Sequence, residues 1–102
     1  MQGIGGALFE QCVYSAEGQL MNGSLVDYLV PMACEMPEID VGHTCTPTAT
    51  SELGAKGAGE AGTAGAAAAI MNAVNDALKP FAARLFKLPI TPEQVLRALG
   101  KV

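Results

Sequence analysis

Residues 53–65, with the sequence LGAKGAGEAGTAG, form the segment best suited to approach a ligand. Five of the twelve glycines of the chain lie in this segment, at positions 54, 57, 59, 62 and 65. Glycine lets a backbone come close to a ligand and adopt left-handed conformations. The segment leads into a predicted helix, whose N-terminal amides favour an anion. A packed core does not explain this composition, which indicates a loop that holds a ligand.

Glu60 is the candidate catalytic residue of this loop, with Gly59 and Gly62 beside it. A carboxylate held against a bound ligand can act as a general base. A structural interpretation is also open, in which Glu60 stabilises the dipole of the helix that follows. The two roles are compatible. Lys56 could pair with Glu60, contact a cofactor phosphate or remain solvated.

Two phosphate-binding motifs are disfavoured by the sequence around the loop. Residues 57–62, GAGEAG, match the pattern G-x-G-x-x-G, but that fingerprint requires a hydrophobic strand before it and a βαβ unit around it. Residues 46–52, TPTATSE, do not form such a strand. A Walker A loop needs Ser or Thr after its lysine, whereas Gly57 follows Lys56. A less specific anion- or nucleotide-binding loop stays open as an alternative.

Three main helices are predicted to position the loop, over residues 2–13, 66–79 and 92–99. In the first two, apolar or cysteine side chains recur at every fourth position, as amphipathic helices require; these side chains are Ile4, Leu8, Cys12, Ile70, Val74 and Leu78. The third begins with a capping box from Thr91 to Gln94. A further short helical piece is expected over residues 81–88.

Four short segments have the alternation or extended character of strands; they cover residues 12–14, 19–21, 25–30 and 38–44. The first two are separated by a hairpin-type connection that ends at Gly18. These segments predict a small antiparallel sheet. The expected fold class is therefore α+β, with that sheet and three to four helices.

The charge distribution excludes two classes of partner. The formal net charge is −4, and no Lys or Arg precedes Lys56. An acidic chain without a basic stripe lacks the electrostatic footprint for nucleic acid or an anionic membrane surface. No apolar run reaches the roughly 18 residues of a membrane span. We therefore expect no nucleic-acid partner and no membrane span.

The cysteines indicate the redox compartment. Cys12, Cys34 and Cys45 are an odd number at wide spacings, without a C-x-x-C motif. This pattern is typical of free thiols in a reducing cytosol, so we expect a cytoplasmic protein. His43 lies two residues from Cys45, but two ligands do not close a zinc site. No metal ligand is therefore predicted in the chain.

Residues 46–78, TPTATSELGAKGAGEAGTAGAAAAIMNAVNDAL, resemble the C-terminal signature of the molybdopterin-binding large subunits of the xanthine dehydrogenase family. The resemblance is strongest to the carbon monoxide dehydrogenase and aldehyde oxidase-like members. Residues 2–31 and 88–99 are similar to the family segments on either side, in the family's order. The resemblance implies that residues 1–102 form a single C-terminal segment of the larger molybdenum-cofactor-binding domain, with residues 53–65 as its catalytic loop.

The resemblance also implies roles for individual residues. Glu60 stands at the Glu of the family's KGxGE motif, which is the active-site base beside the molybdenum. Five further residues are expected to lie at or near the pterin cofactor by the same resemblance: Gln2, Lys56, Gly57, Ala58 and Gly59.

The implied activity is that of an oxidoreductase, which oxidises a small substrate with water-derived oxygen. The substrate would be an aldehyde, an N-heterocycle or carbon monoxide. The expected cofactor is a molybdopterin-type molybdenum cofactor, with iron–sulfur and FAD groups on partner subunits or domains. The expected partners are the remainder of the large subunit and the iron–sulfur and flavin subunits, and this segment alone would be inactive. The alternative is a non-catalytic structural or interaction module that keeps the family fold without the cofactor.

Overall fold

The computed structural model describes all 102 residues and consists of helices joined by long irregular segments. Three α-helices occur, α1 over Gln2–Leu8, α2 over Thr63–Leu78 and α3 over Pro92–Ala98. Short 3-10 helices cover Ala33–Glu35 and Lys79–Phe81. None of these helices combines the length and hydropathy needed to cross a membrane.

Helices α2 and α3 confirm the sequence prediction to within three residues at each end. Thr91 caps α3 because its side-chain oxygen accepts a hydrogen bond from the Gln94 N–H at 3.3 Å. Helix α1 stops at Leu8, well before the predicted end at residue 13. The Asn22 side chain accepts from the Val13 N–H at 2.9 Å and donates to the Gln11 carbonyl at 2.6 Å. These bonds occupy backbone groups that a longer helix would use.

The predicted antiparallel sheet is absent, so the α+β fold class is wrong. Residues 12–14 and 19–21 make one isolated antiparallel bridge, between Tyr14 and Leu20. A two-stranded hairpin is marginal unless a third strand or a helix covers it. Residues 25–30 instead contain a turn, in which the Ser24 carbonyl accepts the amides of Asp27 and Tyr28.

Two other sequence expectations also fail. Residues 38–44 are exposed coil, because no neighbouring strand offers their backbone a partner. The predicted helical piece over residues 81–88 is irregular beyond the 3-10 turn, since Ala82 adopts a left-handed conformation with φ of 53°. The architecture is therefore three helices with coil.

The core lies where α1, the end of α2 and the segment before α3 meet. Leu78, Leu85 and Ile90 form its buried centre. The Ala7 carbonyl at the end of α1 accepts a hydrogen bond from the Ile90 N–H at 2.7 Å. Partly buried apolar residues surround this centre, among them Leu8, Ile70, Met71, Val74, Val95 and Leu99. The core thereby joins all three helices.

Asn75 fixes the irregular segment that follows α2. Its side-chain nitrogen donates to the Leu85 carbonyl at 2.9 Å, and its side-chain oxygen accepts from the Leu85 N–H at 2.8 Å. Both backbone groups of a core residue are thus satisfied by one side chain.

Replacing Asn75 with Ala is expected to destabilise the protein by about 1–3 kcal/mol, because it leaves both polar groups of Leu85 without their partner. The measurement is the free energy of unfolding in denaturant. Asn72→Ala is the matched control, since Asn72 lies exposed on the same helix. Equal effects of the two substitutions would contradict this account.

A second polar contact joins the coil to the segment just after α1. The Tyr28 hydroxyl donates to Glu10 Oε2 at 2.8 Å. This hydrogen bond, followed by smaller contributions from desolvation and from the negative charge of Glu10, raises the pKa of Tyr28 above its ordinary value of 10.0.

Glu10→Ala is expected to lower the titration midpoint of Tyr28, which absorbance at 295 nm follows when the other tyrosine, Tyr14, is replaced with Phe in both proteins. Because the folded pKa of Tyr28 is raised, its contribution to stability is present below pH 10 and is lost as the pH rises through the folded pKa. Glu17→Ala removes an exposed turn carboxylate and should leave the midpoint unchanged. A midpoint that does not move in Glu10→Ala contradicts the assignment.

The chain is open in shape. Its radius of gyration is 17.7 Å, whereas a compact domain of this length has about 13 Å. Its accessible surface is 8046 Å², against about 5,400 Å² for a folded monomer of this mass. Val26 is 90% exposed and Leu53 is 92% exposed. This chain leaves uncovered much apolar surface that folding usually buries.

Candidate active site

The structure brings together two of the predicted site residues that are far apart in sequence. The Gln2 side-chain nitrogen donates a hydrogen bond to Glu60 Oε1 at 3.2 Å, across 58 positions of the chain. Both side chains are exposed. Glu60 Oε2 has no hydrogen-bond partner within the chain. The arrangement is an exposed carboxylate with one oxygen in a hydrogen bond and the other without a partner in the chain.

A tight turn before α2 places Glu60. The Glu60 carbonyl accepts from the Thr63 N–H at 3.0 Å and from the Thr63 hydroxyl at 2.7 Å. Helix α2 begins at Thr63 with Gly62 as its N-cap, and no acidic residue lies in its first turn. Glu60 therefore precedes the position from which an acidic side chain commonly stabilises a helix dipole. The Glu60 carbonyl accepts hydrogen bonds from the first residue of α2, and the Glu60 carboxylate takes no part in capping that helix.

Close contact between α1 and α2 places Gln2. Gln2 is the first residue of α1, and its neighbour Gly3 lies directly against α2. A Cβ at Gly3 would overlap the Ala66 Cβ and lie 3.3 Å from the Thr63 Cα. The glycine lets the start of α1 reach the start of α2, and the Gln2 side chain reaches Glu60 from there.

A cleft of about 370 Å³ lies beside this contact. Its lining comprises residues 1–3 at the start of α1, residues 39–42 of the coil, and Gly59, Gly62, Thr63 and Ala66 around the start of α2. Residues 39–42 form a wall that sequence reasoning did not assign to the site. Their alternating pattern suggested a strand, and nothing in it pointed to Asp40 or its neighbours as cleft residues.

The glycine-rich loop presents free backbone donors. The N–H groups of residues 56–60 donate to no backbone carbonyl. A Cβ added at Gly57 or Gly59 would meet no atom within 4 Å. Gly57, Ala58 and Gly59 thus form an open backbone surface, which suits a group rich in hydrogen-bond acceptors.

Lys56 is not brought to Glu60. It is exposed and makes no ion pair, since the salt bridges of the chain are Lys79 with Asp76 and Arg97 with Glu93. No three His, Cys, Asp or Glu side chains come close enough together to hold a metal ion.

Comparisons with known proteins bear on this site. A family model described as the molybdopterin cofactor-binding domain matches residues 1–37. The large subunit of nicotine 6-hydroxylase from Paenarthrobacter nicotinovorans is 47% identical over 98 residues, covering 96% of this chain and 12% of that subunit. The xanthine dehydrogenase molybdenum-binding subunit of Escherichia coli O157:H7 is 34% identical over 94 residues, covering 91% of this chain and 12% of that protein. The crystal structure of quinoline 2-oxidoreductase from Pseudomonas putida 86 matches with a TM-score of 0.87 at 39% identity, covering 98% of this chain and 13% of that one.

The chain belongs to the xanthine dehydrogenase family and corresponds to a segment of a molybdopterin-binding large subunit. This confirms the family resemblance drawn from residues 46–78 and their flanking segments. The chain spans 12% of the length of the two curated relatives. The open shape described above is what such a short segment of a large subunit should have.

Proposed function

We propose that this chain supplies the general base to the active site of a molybdenum-dependent hydroxylase, with Glu60 as that base. The hydrogen bond from Gln2 to Glu60 carries the proposal. This bond joins α1, which lies within the match to the cofactor-binding domain, to the glycine-rich loop over residues 53–65. The membership in the xanthine dehydrogenase family supports the same role.

The loop residues fit the cofactor of this family. The five amides of residues 56–60 donate to no backbone carbonyl, and the space beside Gly57 and Gly59 is open. We infer that the backbone of Lys56, Gly57, Ala58 and Gly59 binds the molybdopterin group by donating to its polar atoms. We also place Gln2 beside the cofactor, with one of the two N–H groups of its side-chain amide donating to Glu60. When bound, the group supplies the metal that oxidises the substrate and directs water-derived oxygen to it.

Glu60 contributes proton transfer. Oε1 accepts a hydrogen bond from Gln2, and Oε2, which has no partner in the chain, is the oxygen that we propose accepts the proton. A general base must be within hydrogen-bond reach of the proton that it takes. The short turn over residues 59–62 supports this role, because it bonds the Glu60 backbone to Thr63 at the start of α2.

The substrate that we propose is an N-heterocycle, with aldehydes and carbon monoxide as the other family candidates. Nicotine 6-hydroxylase and quinoline 2-oxidoreductase take their names from such compounds. The rest of the large subunit covers the exposed apolar side chains. Iron–sulfur and FAD groups on partner subunits accept the electrons. The three exposed thiols favour a reducing, cytoplasmic location.

A non-catalytic structural or interaction module is the second candidate. The observation that favours it is the exposed apolar surface, with Leu25, Val26, Val41 and Leu53 each more than four-fifths exposed. Such surface is expected of a segment whose role is to pack on a larger body.

One experiment separates the two candidates. Glu60→Gln in the complete large subunit, assembled with its partners, is assayed for turnover and molybdenum content in the same preparation. The base assignment predicts a large loss of turnover with full molybdenum content. A structural module predicts no such loss.

A further inference from the structure

We propose that Gln2 is a positioning residue for Glu60, which it orients by donating its side-chain N–H to Oε1. This inference rests on the proposed function of Glu60 as a base. Sequence reasoning placed Gln2 at the cofactor, whereas its side chain is directed to the carboxylate.

The chemistry of the two groups fixes the direction of the bond. An ionised carboxylate only accepts hydrogen bonds, so the nitrogen of the Gln2 amide must face Glu60. A neutral donor orients the carboxylate without placing a full positive charge beside it. Lys56, the cationic residue nearest to Glu60 in sequence, makes no ion pair with it.

The backbone of Gln2 is well placed for this task. The Met1 carbonyl accepts from the amides of Ile4 and Gly5, each at 3.0 Å, which closes the first turn of α1 around Gln2. The close approach of Gly3 to Ala66 ties that turn to α2. The Glu60 backbone is bonded to the start of the same helix. The start of α2 therefore fixes the backbone positions of both the donor, Gln2, and the acceptor, Glu60.

An exposed Glu side chain samples several rotamers, and its other carboxylate oxygen has no partner in the chain. The bond from Gln2 is the one hydrogen bond that the Glu60 carboxylate makes within the chain. Misplacement of a reacting group by about 1 Å can cost roughly a hundredfold in rate. The expected consequence of losing this bond is a fall in kcat with no fall in substrate affinity.

The test uses the holoenzyme with Gln2→Met, which keeps the length of the side chain and removes its donor. We expect kcat to fall by about 10-fold to 100-fold, with KM and molybdenum content unchanged. Gln2→Asn keeps an amide on a side chain one methylene shorter, which no longer reaches Glu60, and should give a similar loss. Gln11→Met is the matched control, because Gln11 is exposed and its side chain makes no hydrogen bond in the chain.

A double-mutant cycle distinguishes positioning from a general structural effect. In a Glu60→Asp background the shorter carboxylate no longer reaches Gln2, so adding Gln2→Met should change the rate by less than about twofold. For variants too slow for steady-state assay, the rate is measured in a single turnover, as the reduction of the enzyme by substrate. A crystal structure of the Gln2→Met holoenzyme should show the Glu60 carboxylate in a changed or multiple orientation.

The outcomes separate the two proposals. Wild-type turnover in Glu60→Gln overturns the base assignment itself. An impaired Glu60→Gln enzyme together with wild-type kcat in Gln2→Met overturns only the positioning role. Independent, multiplicative losses in the cycle overturn it as well. A fall in molybdenum content in Gln2→Met would show that Gln2 holds the cofactor instead.

Discussion

Replacing Glu60 with Gln in the complete subunit should lower turnover by roughly 10²-fold to 10⁴-fold, the range that positioned general bases contribute. The substitution keeps the size of the side chain and its ability to accept from Gln2 through the amide oxygen. It removes the negative charge that accepts the proton. The measurement is kcat, followed with the preferred substrate under saturating electron acceptor.

Molybdenum content separates a lost base from a lost cofactor. Because the proposed cofactor contacts of the loop come from the backbone of residues 56–59, the Glu60→Gln enzyme should keep its full molybdenum content. Glu52→Gln is the matched control, since Glu52 is exposed just before the loop and makes no hydrogen bond through its side chain. Wild-type turnover in a molybdenum-replete Glu60→Gln enzyme would exclude Glu60 as the base.

The helices were accessible from the sequence because their signals are local. The apolar side chains of α2 recur with helical spacing, and Thr91 and Gln94 mark the start of α3 within four residues. The early end of α1 depends on Asn22, which bonds the backbone of residues 11 and 13 from outside the helix. The apolar spacing of a helix does not show that a distant side chain will bond the backbone groups at its end.

The strand-like segments alone do not show whether a sheet forms. Alternation predicts that one face of a segment will be buried, but it does not say what buries it. In residues 38–44, Ile39 and Val41 are both exposed in this chain. Within this chain the two side chains line the cleft beside α1 instead of packing in a sheet, so the alternating pattern is present without a neighbouring strand.

The candidate site was predicted in part. Glu60 and the loop glycines stand out by composition, and Gln2 by its place in the family resemblance. The bond between Gln2 and Glu60 depends on how closely α1 approaches α2, which is set by the tertiary contact of Gly3 with Ala66. The wall formed by residues 39–42 is likewise a consequence of the chain path. Neither leaves a local signal in the sequence.

Gly3→Ala should disrupt the contact between α1 and α2 at the site. The new Cβ would overlap the Ala66 Cβ and press on the backbone at Thr63. Overfilling a close contact costs about 1–3 kcal/mol, against a gain of up to about 1 kcal/mol in helix propensity from Gly to Ala. The start of α1 must then move away from α2, and Gln2 moves with it. We expect a lower free energy of unfolding together with a loss of turnover.

Gly6→Ala provides the matched control within the same helix, because a Cβ at Gly6 meets nothing within 4 Å. It gains the same helix propensity without the collision, so stability should be unchanged or higher by up to about 1 kcal/mol. Denaturant unfolding and turnover are measured for both variants in the complete subunit. If Gly3→Ala behaves like Gly6→Ala in both measurements, α1 does not need its close contact with α2. The geometry that joins Gln2 to Glu60 would then have to be maintained by other parts of the subunit.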